Sequence, residues 1–163
     1  MSFNGKYLIK IQAKSQVVLP AKLRDDENST SFPQSYYLMN EGFVGETPLV
    51  PDKINARIIM YPVNIWNEVI AKMEEKLRSE GKKEVGQQIK VLRASVEKVD
   101  LDPQNRFTLK KELLDRAGIA DKEIYFVGSG SKIEIWDKSS FDQFTAKYEE
   151  SIRKTFKELS EDF

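Results

Sequence analysis

The chain has 163 residues, 40% hydrophobic and 32% charged, which suits one compact globular domain or two small ones. Its 26 Lys and Arg balance 26 Asp and Glu, so the total charge does not decide for or against a polyanionic partner, which only a local patch could bind. Cysteine and histidine are both absent; this excludes disulfides, thiolate nucleophiles, Cys/His metal sites and the commonest general base, and turns the expectation away from an enzyme.

In chain order, residues 7–11 alternate as a strand does, with Tyr7, Ile9 and Ile11 on one face and Lys10 on the other. Gln12 to Gln16 form a polar turn, residues 17–19 resume a strand, and Pro20 suits the first turn of a short helix over 20–24. Residues 25–35, DDENSTSFPQS, read as a loop and residues 36–39 as an apolar strand. The segment 40–56, with Gly42, Gly45, Pro48 and Pro51, reads as a long loop, mobile by expectation rather than functional. A strand over 57–61 leads into a helix that Asn64 can cap; Ile65, Trp66, Val69, Ile70, Met73 and Leu77 fall along one face, and Gly81 ends it. Residues 84–93 read as a further helix.

The second half starts at Ser95, whose strand to Leu101 alternates imperfectly. Asp102-Pro-Gln-Asn is a turn with a mechanism: the carboxylate can accept from backbone N–H groups two residues on, and Pro103 sets φ at the next position. Residues 107–109 return as a strand, a short helix over 110–117 stops at Gly118, and strands over 124–127 and 132–136 flank Gly128-Ser-Gly130. Ser139 with Asp142 resembles a capping box for the last helix, whose stripe is Phe141, Phe144, Tyr148, Ile152 and Phe156. That stripe packs on its own sheet or reaches a neighbouring subunit. No apolar run approaches the roughly 20 residues that cross a bilayer, and the N-terminus lacks a signal peptide's apolar core, so a cytoplasmic location without membrane contact is expected.

The two halves repeat each other. A shift of 90 lays Ile9 on Val99, Gln12 on Asp102, Gln16 on Arg106, Val17 on Phe107, Leu19 on Leu109 and Leu23 on Leu113. A shift of 75 lays residues 57–77 on 132–152, with Tyr61 on Trp136 and Ala71-Lys-Met-Glu-Glu75 on Ala146-Lys-Tyr-Glu-Glu150. The first copy therefore carries about fifteen extra residues, mostly within 40–56. Copies of about 75 residues are marginal for independent cores, so residues 1–81 and 82–163 are expected to pack as two halves of one α+β domain.

With a β-turn-β-short helix-β-β-helix repeat and a turn carrying Asp102 and Arg106, the sequence resembles the MraZ family, bacterial DNA-binding regulators built from tandem AbrB-like swapped-hairpin units. The likeness runs through Phe3-Asn-Gly-Lys-Tyr7, Ala13-Lys14, Leu19-Pro20, Asp102-x-x-Asn-Arg106, Ala117-Gly-Ile119, Phe126-Val-Gly128 and Ile133-Glu-Ile-Trp136. It departs where Gln12-Ala-Lys-Ser-Gln16 keeps only the lysine of the usual Asp-x-Lys-Gly-Arg, where Lys110 stands in place of a proline, and in the extra loop. The resemblance implies a pseudo-twofold barrel of two swapped-hairpin repeats with flanking helices. It further implies a ring-like homo-oligomer, binding to repeated double-stranded promoter DNA of the division and cell-wall gene cluster, and nucleoid association.

On that reading Arg106 contacts DNA, Asp102 braces it, and Asn105 serves a base edge or only tolerates a left-handed turn; Lys14, Gln12 and Gln16 form the weaker counterpart. Read without the family, Asp102 and Arg106 are a surface ion pair worth little. Two alternatives stay open: a paralogue that has lost DNA recognition and serves as a protein-interaction module, and an AbrB-like antitoxin. Neither cofactor, metal nor small-molecule substrate is expected.

Overall fold

The computed structural model describes residues 2–24, 33–41, 43–44, 47–48 and 57–162. The first copy comprises β1 (Lys6–Lys10), β2 (Gln16–Val18), α1 (Ala21–Arg24), β3 (Ser35–Asn40), the two-residue strands β4 (Phe43–Val44) and β5 (Thr47–Pro48), β6 (Ile58–Pro62) and α2 (Val63–Ser79). Next come α3 (Val85–Ala94), β7 (Glu97–Asp100), β8 (Arg106–Thr108), α4 (Lys111–Arg116), β9 (Glu123–Ser129), β10 (Lys132–Asp137) and α5 (Lys138–Ser160). The chain is therefore α+β with antiparallel sheets. Residues 25–32 and most of the 40–56 loop lie outside the described residues; β4 and β5 pair with each other within that loop.

The strands of the two copies interleave. A six-stranded sheet runs β1-β9-β10-β6-β3-β7, so the first strand of each copy pairs with the third strand of the other. In the middle, β6 and β10 pair with Ile59 opposite Glu134, flanked by Ile133 opposite Met60 and Ile135 opposite Ile58. The second strands, β2 and β8, form a separate ribbon with Val17 opposite Phe107. These ladders do not join into a closed barrel among the described residues: β1 and β7 are the edges of the large sheet, and the ribbon stands apart.

Strand alternation decides which side chains enter the core. Ile58, Met60, Ile133, Ile135, Tyr36, Leu38, Ile124 and Phe126 turn to one face and meet Val17, Leu19, Phe107 and Leu109 of the ribbon. Phe107 and Phe126 touch edge to face at 6.2 Å. On the opposite face of the first copy, Trp66 and Ile70 of α2 with Ile89 and Leu92 of α3 cover Tyr37, Met39 and Tyr61. Over the second copy, Trp136 meets Phe141 edge to face at 5.1 Å between ring centres and Phe144 at a tilt at 4.9 Å, both on α5. Glu134, nearly buried there, accepts from the Trp136 indole N–H at 2.8 Å and pairs with Arg57 at 2.9 Å, which satisfies a charge that burial would otherwise penalise.

Two capping expectations are corrected. Asn64 lies inside α2, and Pro62 holds the N-cap position, because the helix starts directly from the strand end. On α5 the cap is Asp137, whose carboxylate accepts from the Ser140 N–H at 3.1 Å; Asp142 instead accepts from Lys138 and the Tyr125 hydroxyl. Gly81 does end α2: at φ 72° it lets Lys82 N–H reach Leu77 O at 3.0 Å and Gly81 N–H reach Arg78 O at 3.0 Å, closing the last turn.

Candidate nucleic-acid interface

The turn between β7 and β8 is built by Asp102. Asp102 O accepts from the Asn105 N–H at 2.8 Å, and Asp102 N–H donates to Arg106 O at 3.0 Å, so three residues, Pro103 to Asn105, bridge the strands. Such a loop needs a left-handed residue at its end. Asn105, at φ 61°, fills that position, which a short polar side chain tolerates better than most. The Asp102 side chain works on both halves of the turn: Oδ1 accepts from Gln104 N–H at 2.9 Å and Arg106 N–H at 2.8 Å, while Oδ2 accepts from Arg106 Nε at 2.8 Å.

These donors favour the ionised carboxylate. The Arg106 backbone N–H first, then its guanidinium and the Gln104 N–H, hold Asp102 below the usual carboxylate range. The clamp takes only the Nε edge of Arg106. The two terminal nitrogens donate to no other group among the described residues, and the side chain is 38% exposed. A planar fork is thus fixed at its base and open at its tip, which leaves two parallel donors free for a bidentate acceptor.

The turn between β1 and β2 closes with a matching backbone bond but without the clamp, and it carries two left-handed residues where the other turn has one. Gln12 N–H donates to Gln16 O at 2.8 Å, and Ser15, at φ 57°, stands where Asn105 stands in the other copy. Lys14 is left-handed as well, at φ 60°, and its exposed side chain makes no ion pair among the described residues. Gln12 gives the turn no side-chain cap.

The six residues singled out from sequence fall into two groups. Asp102, Asn105 and Arg106 share one turn, and Gln12, Lys14 and Gln16 share the other; the groups stand at opposite ends of the β2–β8 ribbon, with Gln16 opposite Thr108 and Val18 opposite Arg106. Each turn is bonded to the far strand: Leu19 N–H donates to Asn105 O and Leu109 N–H to Ser15 O, both at 2.9 Å. From residue 15 to residue 19 the ribbon spans roughly 13 Å at about 3.3 Å per residue. Periodicity missed this reciprocal bonding, because it depends on pairing between copies; the matched Leu19 and Leu109 were its only trace. Among the described residues no three acidic side chains cluster as metal ligands, and no helix is long and apolar enough to cross a membrane.

Fold and turns together show two interlocked hairpins whose polar tips stand at opposite ends of the β2–β8 ribbon. The family model described as "MraZ protein, putative antitoxin-like" matches residues 94–163, the copy that carries the Asp102–Arg106 clamp. Proteins named Transcriptional regulator MraZ extend the likeness into the first copy. That of Nitratidesulfovibrio vulgaris is 27% identical over 163 residues, covering 100% of this chain and 99% of its own. That of Lachnoclostridium phytofermentans is 29% identical over 140 residues, covering 86% and 84%. That of Acetivibrio thermocellus is 23% identical over 143 residues, covering 88% and 86%. The chain is thus similar to the MraZ family through both of its copies.

Proposed function

We propose that this chain is a MraZ-type transcriptional regulator that binds double-stranded DNA through the Asp102–Arg106 turn. Residues 1–81 and 82–163 act as two swapped-hairpin halves related by a pseudo-twofold axis, and the ribbon tips form the face turned to DNA. The observation that carries this reading is the clamp itself: a carboxylate that engages Nε alone orients the guanidinium while leaving its terminal donors for a ligand. By likeness to the family, the target is repeated promoter DNA of the division and cell-wall gene cluster, and the protein works in the cytoplasm at the nucleoid.

One arginine-bearing turn per chain gives a weak site. A ring-like homo-oligomer set against repeated DNA motifs raises avidity without adding any contact to the single site. The first turn, with Gln12 and Gln16 in place of an acid and an arginine, favours a second reading in which the chain has lost DNA recognition and binds a partner protein. A gel-shift titration on duplex DNA from upstream of the chain's own gene separates the two. The regulator reading expects binding that weakens as salt rises and is largely lost in Arg106→Ala. Absence of specific binding at physiological salt would leave the interaction module standing.

A further inference from the structure

The two ends of the β2–β8 ribbon differ in charge chemistry, and the difference follows the strand pairing. Beside the second turn, the Leu19-to-Asn105 bond brings Pro20, the next residue in the chain, to the end that carries Arg106. Beside the first turn, the Leu109-to-Ser15 bond brings Lys110 and Lys111 to the same end as Lys14. Under the shift of 90, Lys14 replaces Gln104 and Lys110 replaces Pro20, while Gln16 replaces Arg106. The end that has lost its guanidinium has therefore gained lysines, drawn from both copies.

We infer that Lys14 and Lys110, with Lys111 beside them, form a phosphate-gripping patch that takes the place of the missing arginine clamp. This rests on the DNA-binding reading above and assigns the two ribbon ends different tasks. An ammonium is a compact point charge that suits a phosphate; the guanidinium fork suits a base edge. Lys14 and Lys111 are exposed and make no ion pair among the described residues. Lys110 is 64% exposed and meets Glu97 at 3.1 Å, a surface pair weak enough to be exchanged for a phosphate. Glu112 and Arg116 share a recess with Lys110 and Glu97, an acid and a cation that offset each other beside the lysines.

The test measures fluorescence anisotropy on the upstream duplex and on a shuffled duplex of equal length, from 50 to 200 mM KCl. Lys14→Gln/Lys110→Gln is compared with wild type, with Arg106→Ala, and with the charge-matched Lys72→Gln/Lys90→Gln on α2 and α3, across the sheet. The expected result is weaker binding of the lysine variant to both duplexes, an unchanged preference between them, and a salt slope lower by about 2, at about 0.9 per phosphate contact. A slope equal to that of wild type, with Arg106→Ala still impaired, overturns this assignment and leaves the DNA reading intact. An equal drop in the Lys72/Lys90 control also overturns it, because the effect would then be net charge. If wild type binds neither duplex, both readings fall together.

Discussion

At the level of single residues, the site turns on a carboxylate that does two things at once. Asp102 closes the turn by accepting two backbone N–H groups and holds Arg106 Nε with its other oxygen. Those bonds are stronger to the ionised form, and they lower its folded-state pKa below the usual value, which is about 3.9 in an unfolded chain. A depressed folded pKa contributes stability that is fully present above the unfolded value and is lost as pH falls through the folded one. Asp102→Asn is therefore expected to unfold at lower denaturant than wild type at pH 7. The gap should narrow once the pH drops below about 4 and close beneath the folded pKa. Urea unfolding at pH 7 and pH 3 checks this, and a gap independent of pH would mean the carboxylate charge is idle.

At the level of elements, the β2–β8 ribbon is what holds the two tips in place. Each tip is pinned by a bond from the opposite strand, so the ribbon's core pair, Val17 and Phe107, supports both turns at once. Phe107 is 5% exposed and meets Phe126 edge to face. Phe107→Ala is expected to cost about 3–5 kcal/mol in unfolding free energy, the usual penalty for emptying an aromatic site. A cost under about 1 kcal/mol, in thermal or urea denaturation, would show that the ribbon collapses without loss and does not position the tips.

The same elements show what a linear reading can and cannot reach. Alternation located β1, short apolar runs between turn residues marked β2, β6 and β10, and Asp102-Pro-Gln-Asn declared its turn, because those signals are local. The match of Val17 to Phe107 announced a repeat, yet that these two residues face each other is a property of the interlocked copies and of no local pattern. Cap assignment failed for a related reason. Ser139 and Asp142 have capping-box spacing, but Asp137, at the strand end, reaches the Ser140 N–H first, and Tyr125 with Lys138 claims Asp142.

At the level of the whole molecule, α5 is longer than its own sheet can use. Its 23 residues span about 34 Å at 1.5 Å each, and its first turns, through Phe141 and Phe144, dock on Trp136 and Tyr125. Further along, Tyr148, Ile152, Phe156 and Leu159 lie 49%, 62%, 66% and 50% exposed. The proposed oligomer gives this stripe a role as subunit contact. Ile152→Asp/Phe156→Asp is expected to lower the assembly mass in light scattering while the far-ultraviolet spectrum stays that of wild type; an unchanged mass would move the subunit interface elsewhere.

The central claim is that the Arg106 fork reads DNA and does more than supply charge. Arg106→Lys tests it most directly, because the variant keeps the positive charge and loses the two-pronged geometry. Competition between upstream and shuffled duplexes should show the variant's preference falling by about 5-fold or more, in keeping with about 1–3 kcal/mol per bidentate base contact, while its salt slope matches wild type. A lysine variant that discriminates as well as the arginine would contradict the account.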